Sequence, residues 1–376
     1  MILFLQSLHF FNDKTVKFVD IVFIDESNAF HSIPYGKLLE KLYKIGINRA
    51  FLSILESYIS NRKQFVTHNK LKSNLVNVTS GCPQGGVLSP TLFNIYTSDM
   101  PNVCIYSKIV KYADDCVLIM GIRDVDIVKF QTDLNNIQKY CSDNNLVINS
   151  NKSFHLRISM KSVQLTNIYK INNIFIKQVE THKHLGVIID NKLTFNSHCD
   201  YIINNAYKKW AIIKRFCKRA NFMTYLNLYR TYILPIIEYC SISWCPNQNQ
   251  TNRIESVQRN ITRFICYKLN LFDVDYKTRL EILGLKALDS RRNIKILSKV
   301  FAIKYNKEFI PNDWFEKYKF VNTRIGRNII VPKTRINFCD KNFFIYSFKL
   351  FNNQTLIIRD SNSYSSFFKH INDVFL

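Results

Sequence analysis

Glycine and proline are scarce in this chain, nine and eight among 376 residues. That excludes collagen-like repeats and Gly/Pro low-complexity tracts, which are defined by an abundance of those residues. The ten cysteines are unorganised: no CxxC pair occurs, and the nearest two are Cys240 and Cys245. A disulfide framework and a zinc module are therefore set aside in favour of reduced intracellular thiols. No apolar run is long enough to span a bilayer, and the apolar N-terminal stretch MILFLQSLHFF lacks the basic flank and small-residue cleavage site of a targeting signal. Acids are also few, with 28 Asp and Glu against 52 Lys and Arg, for a formal charge of +24.

What is present is a basic chain rich in apolar residues, 47% hydrophobic and 14% aromatic, enough for one large core or two to three domains. Such a positive surplus points to a polyanion, most often nucleic acid, because neutralising phosphates releases condensed counterions. A merely soluble basic protein is the plainer reading.

Residues 16–24, VKFVDIVFI, are β-branched and aromatic and predict a buried strand that delivers Asp25 at its end. PYGKLLEKLYKIG predicts a helix with Pro34 in its first turn, Leu38, Leu39, Leu42 and Ile45 on one face, and Gly46 as its stop. FLSILESYISNR predicts a second helix, followed by two short strands in QFVTH and NLVNVTSG. GCPQGGVLSPTLFNIYTSDM reads as a loop entering a helix, with Ser89 as N-cap and Pro90 at the first helical position. Residues 124–145 read as an amphipathic helix with Val128, Leu134, Ile137, Tyr140 and Cys141 inward. Strands in LVINSNKSFHLRIS and IFIKQVETHKHLGVIID complete an α+β arrangement.

After about residue 195 helical periodicity takes over. In YIINNAYKKWAIIKRFCKR, Ile203, Trp210, Ile213 and Cys217 fall on one side, with Lys208, Arg215 and Arg219 on the other. Residues 200–270 hold eleven Lys or Arg (208, 209, 214, 215, 218, 219, 230, 253, 259, 263, 268) against three acids (200, 238, 255). This helical part is a candidate nucleic-acid grip, although a solvated basic face has the same local pattern.

One stretch departs from these patterns. KIVKYADDCVLIM, residues 108–120, sets Asp114 and Asp115 side by side within an otherwise apolar strand pattern. Desolvating ionised carboxylates is costly without a cation against them. The doublet could instead be the tip of a tight hairpin, or pair with Lys111. If its strand and that of Asp25 are neighbours, the converging acids near a basic groove suit two-metal phosphoryl transfer.

In order, FIDESNAF, GCPQGGVLSP, YADDCVLI, LVINSNKS and HKHLGVIID resemble the successive palm motifs of reverse transcriptases. IPYGKLLEKLYKIGI, YILPIIEYCSISW and RIESVQRNITRFI resemble the non-LTR (LINE-like, jockey-type) branch, and the likeness runs from about residue 15 to about 290. The resemblance implies a right-hand polymerase palm with partial fingers over 1–195, a helical, basic, thumb-like region over 196–290, and a C-terminal region of unassigned role over 291–376. It implies that Asp25 and Asp114 ligate metal, that Asp115 completes the acidic cluster, and that the Glu26 carbonyl helps hold the nucleotide-side ion. The ions implied are two Mg2+, with Mn2+ as a substitute. Phe30 matches the aromatic that abuts the sugar C2′, and Gln84, Gly85 and Gly86 match the nucleotide and template platform. Tyr112 matches the residue at the primer end, and Lys152 a lysine suited to the pyrophosphate leaving group. Lys208, Arg215 and Arg219 are assigned to the primer and template, and His182 and His184 to structure alone.

The departures are Asn28, His31 and Gly86, where relatives usually carry Lys, Asp and often Ser; none is a metal ligand. Only 24 residues precede Asp25, so most of the fingers and any endonuclease are expected to be missing, as in the C-terminal part of an open reading frame. The expected function is RNA-directed DNA polymerase acting on an RNA template, a DNA primer and deoxynucleoside triphosphates. An intracellular setting, nuclear and cytoplasmic, is expected. The alternatives are a degenerate remnant that only binds nucleic acid, and a host-adopted relative of telomerase or maturase type.

Overall fold

A computed structural model describes residues 15–27, 29–123, 126–159, 168–304, 320–323, 326–331, 343–359, 361 and 363–374. These residues divide into two compact units, with the boundary between His182 and Lys183. Asn28 lies outside the described residues.

The first unit is built on strand β1 (Phe18–Ile24), whose residues after the first are all buried. Helices α1 (Tyr35–Lys44), α2 (Arg49–Ile59) and α3 (Ser89–Tyr96) follow, then the hairpin of β2 (Lys108–Tyr112) and β3 (Asp115–Ile122), helix α4 (Asp126–Asp143), and strands β4 (Phe154–Ile158) and β5 (Lys177–Val179). The sheet order is β5-β4-β1-β3-β2, antiparallel except for the β4–β5 pair. Strand β1 is buried on both faces after its first residue, which is why 16–24 read as a nearly continuous apolar run interrupted by Asp20. Val22 and Ile24 join Leu118 and Met120 beneath Leu38 and Leu42 of α1, Leu55 and Ile59 of α2, Phe93 of α3 and Phe130 and Leu134 of α4. Burying each such side chain stabilises the fold by about 1.5–3 kcal/mol.

Several local expectations shift. Pro34 is the N-cap of α1 and not its first helical residue, and Ile45 is exposed, while Gly46 ends the helix with φ +96°. Ser89 begins α3 instead of capping it: its hydroxyl donates to Pro83 O at 2.5 Å, so Pro90 falls one position further in. Val128 is exposed and Phe130 takes the inward position on α4. Residues 63–77 form four two-residue strands, Lys63–Gln64 with Val76–Asn77 and Thr67–His68 with Leu71–Lys72. Asn69 and Lys70 turn the tip with positive φ, as a two-residue hairpin turn requires.

In the second unit, helices α5 (Asn196–Phe216), α6 (Gln248–Tyr267), α7 (Tyr276–Leu283) and α8 (Leu288–Lys304) dominate. The buried stripe of α5 is Cys199, Ile202, Ala206, Trp210 and Ile213; Ile202, not Ile203, is the fully inward isoleucine. Asn247 and Gln250 form a reciprocal capping box at the start of α6. A further cluster joins Ile296, Val300 and Phe301 of α8 to Phe348, Phe351, Phe367 and Ile371. No described helix is long and apolar enough to cross a membrane. The nine described cysteines are all free.

Candidate active site

The register of β1 against β3 pairs Val22 with Leu118 and Ile24 with Cys116. Continuing it by one residue sets Asp25 opposite Asp115. Because strand side chains alternate faces, these two carboxylates share the face opposite to that of Ile24 and Cys116. Asp114 sits at the tip: Tyr112 pairs with Asp115, leaving Ala113 and Asp114 as a two-residue turn in which Ala113 takes φ +54°. The doublet is therefore the hairpin tip that its composition allows, at the end of the strand that pairs with β1 and so near Asp25.

Both Asp114 and Asp115 are exposed, and Asp25 is half-buried. Partial burial and the neighbouring charges of Asp114 and Asp25 raise the Asp115 carboxyl above the usual range. Glu26, side chain buried, is pushed up to about 7 by burial, against the pull of Lys111 and with a further rise from Asp114 and Asp25. Lys111 does not pair with the doublet. Its ammonium is buried without a hydrogen-bond partner, 5.6 Å from the centre of the Phe93 ring. Among the described residues no hydrogen bond or ion pair engages the Asp25, Asp114 or Asp115 carboxylates, and no group of three or more His, Cys, Asp or Glu lies close enough together to hold a metal ion. The donors are nonetheless all hard carboxylate oxygens, the type that suits a divalent cation such as Mg2+.

Backbone contacts tie other segments to this cluster. Asn149 N donates to Asp25 O at 2.9 Å, and Asp25 N donates to Ser153 Oγ, which donates in turn to Asn149 O. The short strand Val147–Ile148 pairs with Glu26–Ser27. This loop carries Lys152, exposed, whose N–H donates to Asn149 O at 3.1 Å. Lys152 thus arrives beside Asp25 through its backbone.

Phe30 is half-buried, its ring 4.7 Å from that of Phe93. The glycine loop docks on the same segment: Cys82 N donates to Phe30 O, Gly81 N to Ile33 O, and Ser80 Oγ to His31 O. A Cβ on Gly81, at φ +79°, would lie 2.6 Å from His31 Cα and from Phe30 O, so only glycine allows this approach. Gly85 also has φ +78° but opens onto free space, whereas a Cβ on Gly86 would meet Tyr58 Oη at 2.2 Å. Gln84 is exposed at this loop and Tyr112 at the hairpin tip.

Sequence reasoning missed Gly81, Arg62 and Tyr35. Arg62 Nη2 donates to Tyr35 Oη, Ser80 O and Gly81 O, and Tyr35 Oη to Val78 O, clamping the loop from beneath. Gly81 is the first residue of the GCPQGGVLSP motif and so carried a signal; a lone Arg and a lone Tyr offered none.

Lys208, Arg215 and Arg219 belong to the second unit and are exposed. Lys208 lines a groove of about 580 Å³ with Lys183, Tyr201 and Tyr239. Burial pushes His182, stacked on Phe23 at 4.0 Å, down to about 4, in keeping with a packing role.

Residues 7–189 match the family Reverse transcriptase (RNA-dependent DNA polymerase). The chain is 27% identical to a probable RNA-directed DNA polymerase from transposon X-element of Drosophila melanogaster, over 66% of this chain and 28% of that one. It is 24% identical to the RNA-directed DNA polymerase from mobile element jockey of the same organism, over 65% and 28%. The chain thus spans under a third of the length of these relatives. An apo telomerase from Candida tropicalis aligns at 13% identity over 78% of this chain and 47% of that one, with a TM-score of 0.41. The matched segment, 7–189, contains the whole five-stranded sheet with its acidic strand ends, and over it the chain is similar to reverse transcriptases, among them RNA-directed DNA polymerases of Drosophila mobile elements.

Proposed function

We propose that this chain extends a DNA primer on an RNA template, using deoxynucleoside triphosphates and divalent metal. The observation that carries the reading is the β1–β3 register, which sets Asp25 against Asp115 with Asp114 at the adjoining tip. Asp25, Asp114 and Asp115 would hold the metal through carboxylate oxygens, with the Glu26 carbonyl beside them. Two Mg2+ ions, when bound, would activate the primer 3′-hydroxyl and take up charge on the phosphate under attack.

The chain's own residues divide the remaining work. Phe30, braced by Phe93, blocks the space that a ribonucleotide 2′-hydroxyl would need. Gln84, Gly85 and Gly86 present backbone to the nascent base pair, on a loop held down by Gly81 and Arg62. Lys152 donates a proton or a counter-charge to the leaving pyrophosphate. Tyr112, at the hairpin tip, supports the primer end. Lys208, Arg215 and Arg219 contact the phosphates of primer and template, in a basic thumb-like region over 196–290 that follows the palm and partial fingers of 1–195.

The test is Mg2+-dependent primer extension on RNA by the parent chain and by Asp114→Asn. Extension should fall by about 10³-fold or more in the variant, since electrostatic stabilisation of the transition state is lost, while RNA affinity changes less than about twofold. Extension surviving in the variant would refute the mechanism. A parent chain that binds RNA and never extends a good primer would instead make this a nucleic-acid-binding remnant.

A further inference from the structure

The second unit contains a pocket of about 700 Å³ between the end of α6 and α7. One of its walls is Arg279, only 6% exposed. Its Nε has no hydrogen-bond partner, its Nη1 makes one long bond of 3.4 Å to Arg259 O, and no carboxylate forms an ion pair with it among the described residues. A guanidinium is always charged, so burying one without an anion is unfavourable unless something negative reaches it. The face of Tyr276 stacks near it at 5.6 Å.

The rim has a different chemistry. Tyr267 and Phe272 lie edge to face at 5.4 Å and are 60% and 58% exposed, large apolar surfaces left in water beside the opening. Arg263 adds a second exposed cation, and Asp273 and Asp275 add two exposed acids. Asp275 is already engaged, since its carboxylate accepts from the N–H groups of Lys277 and Thr278 at the start of α7. With two cations and two acids the pocket is close to neutral as a whole, but its buried charge is positive. That pattern suits a single phosphate and is poor for a triphosphate.

We infer that this pocket binds one nucleotide, its phosphate on the buried Arg279 guanidinium and its base stacked on the Tyr267 and Phe272 rings. Such a nucleotide can belong to single-stranded RNA or be a free mononucleotide, since both present one phosphate beside a π-face. The inference draws on the polymerase reading only for the presence of a strand; the pocket stands apart from the acidic cluster in the chain.

The test uses a fluorescein-labelled single-stranded RNA of about ten nucleotides and adenosine 5′-monophosphate as separate probes of the full chain. The Tyr267→Ala/Phe272→Ala double variant removes exposed rings and leaves the core intact. Arg279→Gln is run beside it, with circular dichroism as the check on folding. Loss of a stacking contact should weaken binding roughly 5- to 150-fold. A loss for both probes supports the site with a strand as its occupant, and a loss for the monophosphate alone supports the site with a free nucleotide. Unchanged affinity for both probes in the ring variant overturns the inference, whatever Arg279→Gln does. Asp114→Asn should bind both probes like the parent, so a failure of extension and a failure of this pocket are told apart.

Discussion

Asp20 is fully buried on β1, five residues before Asp25, and replacing it with Asn should unfold the chain far more readily than a neutral isostere suggests. Its carboxylate accepts from Arg157 Nε at 2.7 Å, from Arg157 Nη2 at 2.6 Å and from Tyr169 Oη at 2.6 Å. His155 Nε2 lies 3.1 Å away, near enough for attraction but out of line for a hydrogen bond. Asp20→Asn leaves the Arg157 charge buried without a counter-ion, a loss of about 3–5 kcal/mol. At about 1.4 kcal/mol per factor of ten, the folding equilibrium moves by two to three and a half decades. With a urea dependence of about 1–3 kcal/mol per molar, the midpoint should drop by roughly 1–5 M. Replacing both partners, Asp20→Leu with Arg157→Met, should recover most of that loss, because neither charge is then left alone. The pH dependence has a definite sign. Burial alone would raise the Asp20 carboxyl, but the Arg157 and His155 contacts hold it below the usual range. Its contribution is thus complete above the unfolded value, about 3.9, and disappears as pH falls through the lower folded value. Urea titrations of the parent, the single and the double variant decide the matter. A loss below about 1 kcal/mol for Asp20→Asn, or a double variant as weak as the single, would show that the network does not hold β1 between β3 and β4.

Two further outcomes follow from the segment around Phe30. Gly81→Ala combines a left-handed backbone, about 1–2 kcal/mol, with a clash onto His31 and Phe30, about 1–3 kcal/mol. Gly85→Ala, with open space around it, should show only the first, so urea midpoints must rank Gly81→Ala well below Gly85→Ala. Phe30→Val should lower the preference for deoxyribonucleotides over ribonucleotides by at least about tenfold, roughly 1.4 kcal/mol, read as the ratio of kcat/KM values. An unchanged ratio would remove Phe30 from the sugar site.

Much of the palm was legible from pattern alone, and the failures share a cause. The run of 16–24 read as a buried strand, but which strands flank it was left conditional until the structure paired it with β3 and β4. Helical periodicity located α4 and α5 but not their rotation: Val128 and Ile203 each fit an apolar stripe, and packing chose Phe130, two positions on, and Ile202, one position back. Ser89 has the composition of an N-cap, yet Pro83 O claimed its hydroxyl. Arg62 and Tyr35 were invisible because their role depends on a loop distant in the sequence.

By itself, the order of residues determined the chemistry available here: acids at Asp25, Asp114 and Asp115, glycines where backbone must turn or approach closely, and a basic helical part. Local sterics and composition suffice for that, since each residue carries its charge and its allowed angles wherever the chain goes. Only the tertiary structure decided that Asp25 stands against Asp115, that the Lys111 ammonium is buried beside Phe93 without pairing with the doublet, and that Arg279 is buried without an anion. Those facts depend on strand register and on packing between segments far apart in the chain, where a shift of one residue moves every side chain to the other face.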